Sequence, residues 1–386
     1  MLPMTDAAVA ALTGSRTRER VRVDAYLGDV LVAAGLDVES VSLTWDATRQ
    51  VQCQGTIKVA DPCGSLAPWV LGDVLAPGAR LQVTYCCEDG STLPRALLVV
   101  TKASPEGGWR TYRLRDGAVR WVPTGGTVAL SVDDTTTLVV RDKLQAPASP
   151  ATATCVGEVR RLLGGLVPVV DETSSTATVA SGTVYERERA DAVDDLLSHA
   201  GLERRTDGAG VMHLIASKSA GPGPVWVLGA GDGGATVRVD REMSLDDVVN
   251  AVVASSSATG QEEIVGRAYL GEGVGRWGGP LGNHTRFYAS PLISTVAGAR
   301  AAARTRLDSL TQGRSTLITV ECLPHPGLEI WDTVTIPIPD PAGSLKTVDA
   351  LVQTVSLTVD RSGPATSTLT ATASAEVLAG IMRWRR

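Results

Sequence analysis

Short segments in which apolar and polar residues alternate, each ended by a glycine- or proline-containing turn, recur along most of this chain and leave it few possible folds. Val21, Val23 and Ala25 alternate with Arg22 and Asp24 before a turn at Gly28-Asp29. Val41, Leu43 and Trp45 alternate with Ser42 and Thr44. After the break at Asp61-Pro62-Cys63-Gly64 the same period returns at 81–85, and further strands are predicted at 96–101, 109–114 and 128–132. Side chains two apart share one face of a strand, so each segment buries one face and leaves the other wet. Short strands of this kind, joined by tight turns, predict an antiparallel barrel or sandwich.

A different pattern begins at Ala151, after the linker Ala146-Pro147-Ala148-Ser149-Pro150. Val156, Val159, Leu162 and Leu163 fall on one face of a short helix that Gly164-Gly165 ends. A second helix is predicted from Arg189, with Val193, Leu196, Leu197 and Ala200 inward and Gly201 as its stop, followed by a strand at 211–215. Gly221-Pro222-Gly223-Pro224 closes this small α/β module. Strands then resume at 225–228, 236–239, 250–254 and 264–270, with a glycine-rich loop at 271–282. One longer helix, from Thr295 to about Leu310, carries the stripe Val296, Ala299, Ala303, Leu307, Leu310. Strands at 316–322, 333–338 and 351–359 follow, and a hairpin through Asp360-Arg361-Ser362-Gly363-Pro364 returns at 368–373. The expected fold is therefore mainly β with a small α/β insertion. Its expected domains are a first β domain over 1–145, the α/β module over 151–222, and a second β domain with the long helix over 223–380. A faint repeat links the two β regions: the stretch Leu75-Ala76-Pro77-Gly78-Ala79-Arg80-Leu81-Gln82-Val83 resembles Pro326-Gly327-Leu328-Glu329-Ile330-Trp331-Asp332-Thr333-Val334.

Size and charge bound the function. A chain of 386 residues exceeds one ordinary core and predicts two to four domains. Its 36 basic against 42 acidic residues give −6, which argues against a dedicated nucleic-acid binder. No apolar run reaches the roughly 18 residues of a membrane helix, and Met1-Leu2-Pro3-Met4-Thr5-Asp6 lacks the basic-then-apolar order of a secretory signal. Cysteines 53, 63, 86, 87, 155 and 322 form no CxxC pair, and four histidines are too few to complete a zinc site with them, so buried reduced thiols are expected.

The residues carry no catalytic or ligand-binding motif with the spacing its chemistry needs. Gly229, Gly231 and Gly234 have dinucleotide spacing, but they lead into a strand where a phosphate site needs a helix N-terminus, so they read as a turn. The loop at 271–282 lacks the Lys-Ser/Thr of a phosphate cradle. Histidines 199, 213, 284 and 325 lie far apart and belong to no H-E-x-x-H pair; His199 sits at a helix end, where its positive form meets the favourable dipole. Asp133-Asp134, Asp194-Asp195 and Asp246-Asp247 read as solvated turns and helix starts, because calcium-loop spacing is absent. The chain is thus expected to have no catalytic, cofactor-binding or metal-ligating residues. Trp277 in the glycine-rich loop is the best single candidate for contact with a partner.

Three segments together carry a resemblance: Arg189-Ala190-Asp191-Ala192-Val193-Asp194-Asp195-Leu196-Leu197 with the strand after Gly208, Asn250-Ala251-Val252-Val253-Ala254, and Arg286-Phe287-Tyr288-Ala289-Ser290-Pro291-Leu292-Ile293-Ser294 leading into the Ala/Arg helix. This combination resembles the minor tail, tail-tip or baseplate hub proteins of long-tailed phages of actinobacteria, and 31 arginines against 5 lysines fit a GC-rich genome. The resemblance covers roughly residues 150–375. It implies a structural virion protein rather than an enzyme: a homotrimer at the tail tip, each subunit giving two tube-like antiparallel β-barrel domains, so that a threefold ring docks on a sixfold tube. Implied partners are the distal tail protein or tail tube above, tip or fibre proteins below, the tape measure protein, and double-stranded DNA in passage. The resemblance also implies synthesis in the bacterial host cytoplasm and no membrane insertion. Two other classes remain: a phage-borne cell-wall or capsule hydrolase working through an acid pair, disfavoured by scarce aromatics and histidines, and a receptor- or carbohydrate-binding β module, disfavoured by dispersed tryptophans.

Overall fold

The structure, a computed structural model, describes residues 1–11, 20–87, 89–179, 182–217, 223–231, 234–242, 248–256, 264–273, 275–290, 293, 295–311, 316–340, 343–361 and 365–373. Asp246-Asp247, Gly221-Pro222, Pro291-Leu292, Ser294 and Ser362-Gly363-Pro364, all used in the sequence reading, lie outside the described residues.

After a short helix α1 (Asp6–Ala11), the first β unit contains β1 (Arg20–Leu27), β2 (Val30–Ala33), β3 (Val38–Asp46), β4 (Cys53–Asp61), β5 (Arg80–Cys86), β6 (Thr92–Arg113) and β7 (Val119–Asp134). The α/β module follows, as α2 (Thr136–Arg141), α3 (Cys155–Leu163), β8 (Val169–Asp171), α4 (Arg189–Ala200), β9 (Leu202–Thr206) and β10 (Met212–Ala216). Next come β11 (Trp226–Val227) and β12 (Thr236–Glu242), then β13 (Ala251–Ser256), β14 (Val265–Tyr269), β15 (Thr285–Ser290) and α5 (Val296–Thr311). The chain closes with β16 (Thr316–Cys322), β17 (Thr333–Pro339), β18 (Leu345–Asp360) and β19 (Thr366–Ala373). The protein is mainly β, as the alternating segments predict.

Thirteen strands form one large sheet in the order β12-β16-β19-β18-β3-β4-β7-β6-β5-β1-β2, with β17 on β18 and β11 on β17. Two hydrophobic cores lie against it. One is built on Val23, Leu43, Ile57, Leu81, Leu98 and Leu130, the other on Ile318, Val320, Ile336, Val352 and Leu369. The predicted strands at 96–101 and 109–114 are one strand, because β6 runs on through Gly107-Gly108 to pair with β7 as far as Arg113↔Val119. Glycine is required there: a Cβ on Gly126 would stand 1.9 Å from the Glu106 carbonyl oxygen. What reads locally as a break is a close backbone approach within a ladder.

The faint repeat is real but sits in a different register. In the first unit the strands pair in the order β3-β4-β7-β6-β5-β1; in the second they pair β12-β16-β19-β18-β17-β11, the same sequence of neighbours. Bulges recur at matching places, between Val38/Ser40 and Thr236/Arg238 and between Val100/Lys102 and Val352/Thr354. The Gly78 amide donates to the Val100 carbonyl at 2.8 Å, and the Trp331 amide donates to the Val352 carbonyl at 2.9 Å. The counterpart of Gly78 is therefore Trp331, not Gly327, and both hold positive φ, 95° and 69°. A glycine occupies that conformation without strain; a tryptophan does so only when its surroundings fix it. Its indole is buried and donates to the Arg204 carbonyl at 3.2 Å. The units differ in one pairing of this order: β1 pairs with β5 antiparallel, while the two-residue β11 pairs with β17 parallel.

The α/β module has its own core, in which Val156, Val159, Leu162, Leu163, Leu196, Leu197, Met212 and Leu214 meet. Thr154 caps α3 by accepting the Gly157 amide, and Gly164 and Gly201 end α3 and α4 in the left-handed region, as the sequence indicates. The long helix α5 packs on β13–β15, a three-stranded sheet separate from the large one, and forms a fourth core with Val252, Ala254 and Ala268. Its approach is close, since a Cβ on Gly266 would lie 2.2 Å from the Ala299 backbone. Ala299, Ala303 and Leu307 of the predicted stripe are buried and Leu310 is half-buried. Val296 is 49% exposed at the first helical residue, a correction to the five-residue stripe.

Candidate subunit interface

Six residues of β3 and β18 show how the two units are joined. Trp45, Leu43 and Val41 stand opposite Val355, Leu357 and Val359 in an antiparallel ladder, with all six side chains buried on the core side. On the other face Ser42 and Thr358 meet with their hydroxyls 3.5 Å apart. The ladder runs from Thr354↔Asp46 to Asp360↔Ser40. By the repeat, β12 is the counterpart of β3 and β6 the counterpart of β18. Among the described residues β12 pairs with β16 alone, and β6 beyond Val100 pairs with β7 alone. Among the described residues there is thus one copy of a two-strand joint, and the two halves of a second copy stand unpaired at opposite ends of the eight-strand run β12-β16-β19-β18-β3-β4-β7-β6 of the large sheet. An unpaired edge is a row of backbone donors and acceptors ready to accept another strand.

Apolar surface lies next to the β6 edge. Trp109, Tyr112, Val119 and Trp121 on the distal hairpin are exposed, together with the loop Trp69-Val70-Leu71, and Trp69 meets Trp109 edge-on at 6.3 Å. Trp69 is 76% and Trp121 66% exposed, unusual for residues of that size and typical of a surface that a partner covers. In the corresponding hairpin of the second unit β18 ends at Asp360 and β19 begins at Thr366, without such an extension.

The residues examined for chemistry do not converge. His199 is exposed at the end of α4; His213 lies between Glu172 (2.8 Å) and Asp207 (3.1 Å); the His284 ring is 2.9 Å from the Leu281 carbonyl oxygen; His325 is buried against Trp226, ring centres 4.7 Å apart. Gly229, Gly231 and Gly234 make the turn from β11 to β12, with the Thr236 amide donating to the Gly229 carbonyl at 3.0 Å. Trp277 packs on Tyr269, ring centres 5.1 Å apart, so much of its surface serves its own loop. The six cysteines are free; Cys53, Cys155 and Cys322 are buried, but Cys63 is exposed and Cys86 and Cys87 are half-buried.

Two acidic pairs are not solvated turns. Asp134 is 2% exposed and accepts the Cys53 and Thr136 amides at 2.7 and 2.8 Å, and burial pushes its pKa up against those bonds. Asp194 pairs with Arg204 at 3.1 Å. Asp195, half-buried, has its pKa pushed up to about 6, first by burial and then by Asp191 and Asp194, with Arg306 opposing. A carboxyl raised from 3.8 to about 6 in the fold carries no penalty below its unfolded value and costs stability increasingly as pH rises from 3.8 to about 6, above which the cost is constant. Asp195→Asn should therefore stabilise the protein at pH 7 by about 1 kcal/mol, after allowance for solvent screening, and leave it unchanged at pH 3.5. Parallel denaturant titrations at the two pH values check this; equal stability at pH 7 would remove the charge crowding from the account.

The sequence did not single out the two edges or the exposed hairpin. A strand's pattern shows which face is buried but not which edge is paired. The alternation of Trp and Arg through 109–121 was the available signal for the hairpin.

No protein-family profile and no curated protein matches this chain. Solved structures do. The chain is similar to the tail protein from Neisseria meningitidis MC58, at 13% identity over 91% of this chain and 96% of that one, TM-score 0.62. It is similar to the prophage MuSo2 43 kDa tail protein from Shewanella oneidensis, at 12% identity over 91% and 98%, TM-score 0.57. It is also similar to the E. coli c3393 protein, a type VI secretion component described as structurally similar to the T4 bacteriophage tail proteins gp27 and gp5, at 12% identity over 93% and 78%, TM-score 0.51. At these identities the likeness is one of fold.

Proposed function

We propose that this chain is a structural virion protein, a tail-tip or baseplate hub that forms a trimeric ring, joins the tail tube to the tip and surrounds the path by which DNA leaves. One observation carries the reading: among the described residues the β3–β18 joint exists once, and the edges for a second identical joint are left open on β12 and β6. Pairing β12 of one copy with β6 of the next repeats the joint between chains. Six near-equivalent units then alternate around a ring, three chains supply them, and the closed ring presents sixfold spacing to a tube while keeping threefold identity. The long aromatic hairpin occurs once per chain and so marks the threefold side. The tail proteins that share the fold support the same setting. In it, the distal tail protein or tube lies above, tip or fibre proteins lie below, and the tape measure protein and then double-stranded DNA pass through. Assembly takes place in the host cytoplasm, and no catalytic step is required.

The repeat also sets the register of the interchain joint. Ser42 corresponds to Asp240 and Thr358 to Glu106, so these two positions should face each other between copies, with Asp240 already neutralised by Arg238 at 2.9 Å. A variant with Glu106→Cys and Asp240→Cys, in a background where Cys63, Cys86 and Cys87 are serine, should cross-link under mild oxidation to a band of three chains and no larger. Ser104→Cys with Asp240→Cys, two residues out of register, should cross-link at least tenfold more slowly. A monomer band alone, or an open-ended ladder, would overturn the closed trimer.

A further inference from the structure

We infer that the open face of the eight-stranded sheet is a hydroxyl-lined wall over which a polyanion slides without being held. This rests on the ring reading above and adds to it the chemistry of the passage.

In the sheet β12-β16-β19-β18-β3-β4-β7-β6 one face carries the two cores. The other face is read off the register. Thr366, Thr358, Ser42, Thr56 and Ser131 stand opposite one another across five consecutive strands. The neighbouring row brings Thr368, Ser356 and Thr44 together. The strand β19 presents threonine at 366, 368 and 370 in succession on this face. Within these rows Ser42 and Thr56 are exposed, so the hydroxyls are not a buried polar layer. Some are held within the sheet: the Thr368 amide donates to the Ser356 hydroxyl at 3.0 Å, and that hydroxyl donates to the Thr368 carbonyl at 3.2 Å.

An ordinary wet sheet face mixes lysine, arginine, glutamate and aspartate. Here the five central strands carry their charges toward the strand ends, and on the outer strands the cations Lys102, opposite Ser131, and Arg238, paired with Asp240, are outnumbered by Glu106, Asp240 and Glu321. Asp46 is paired with Arg49 at 3.0 Å, and Asp133 accepts the Thr137 hydroxyl at 3.2 Å. On the five central strands Lys58 is the cation that faces this side, opposite Ser40 and Ala129. Threonine suits an exposed pleated surface sterically and offers hydrogen bonds without charge. Affinity for duplex DNA comes mainly from cations that displace counterions from phosphates, so a hydroxyl face gives the duplex contact without that attraction. Three copies would place three times eight strands in one wall; at about 4.8 Å per strand the opening is roughly 37 Å across, more with strand tilt, which admits a double helix.

The test uses the disulfide-locked trimer carrying Thr56→Arg and Thr358→Arg, with Ser42→Lys/Thr56→Lys as a second pair in case the first folds poorly. The probe is a short double-stranded DNA of random sequence, and stoichiometry is read by sedimentation. The unsubstituted locked trimer should retain no duplex at physiological salt. The arginine trimer should hold one duplex per three chains, with affinity falling about as the fifth power of salt for six added cations. A locked trimer with Val30→Arg, on the edge strand β2 away from this face, should not gain that one-to-three complex. Retention by the unsubstituted trimer, or a duplex bound to each chain of the arginine trimer, would overturn the wall while leaving the ring intact. Failure of the cross-link to close would remove the ring itself and the wall with it.

Discussion

Replacing Leu43 with aspartate should abolish cooperative folding of the first β unit and its joint with the second. Leu43 is fully buried in the first core and stands opposite Leu357 in the β3–β18 ladder. Aspartate there would bury a carboxylate with no partner, at a cost of about 4 kcal/mol or more, comparable to the whole stability of many domains. Leu43→Ala, which leaves a cavity but no charge, should cost about 2–5 kcal/mol and still fold. Thermal unfolding followed by tryptophan fluorescence separates the two, since Trp45 is close by in the same core. An aspartate variant that melts with the unsubstituted protein would mean that the joint is not packed, and the ring derived from it would lose its basis.

Leu307→Asp should act just as strongly but locally. Leu307 is 1% exposed in the core where it, Ala299 and Ala303 of α5 meet Val252, Ala254 and Ala268. That core is separate from those of the large sheet, so the expected result is loss of hydrogen-exchange protection across 248–311, with protection retained in β3, β4 and β18. The destabilisation of this segment should again be about 4 kcal/mol. Loss of protection everywhere at once would show that the four cores unfold as a single cooperative unit; unchanged protection in α5 would contradict its burial. The two aspartate variants together test whether the α5 segment, inserted between β12 and β16, is a peripheral domain on the repeated β scaffold, as we propose.

Much of the fold was legible in the residue pattern because its causes are local. Alternation at 21–25, 41–45 and 81–85 placed β1, β3 and β5, and the apolar spacing of Val156, Val159, Leu162 and Leu163 with Gly164 beyond it fixed α3. Failures came where a local signal had a distant cause. Gly107-Gly108 resembles a break but is a backbone crossing against Gly125-Gly126. Asp134 resembles a turn residue but is buried, because the Cys53 amide on another strand needs an acceptor. The repeat was sensed through its Pro-Gly pairs, yet the structural counterpart of Gly78 is a tryptophan whose left-handed backbone is held by the chain around it.

The sequence alone determined the kind of element for most of the strands that alternate and for the three longer helices, and the inward face of these, since such features follow from side-chain spacing and backbone preference within a few residues; β4, α2, β9 and β15 carried no such signal. Only the tertiary structure decided which strands are neighbours, that two six-stranded orders match, and that β6 and β12 are left as open edges. Strand pairing is made by backbone amides and carbonyls, which every residue except proline carries alike; the choice of partner is written in the packing of whole units and not in any one segment.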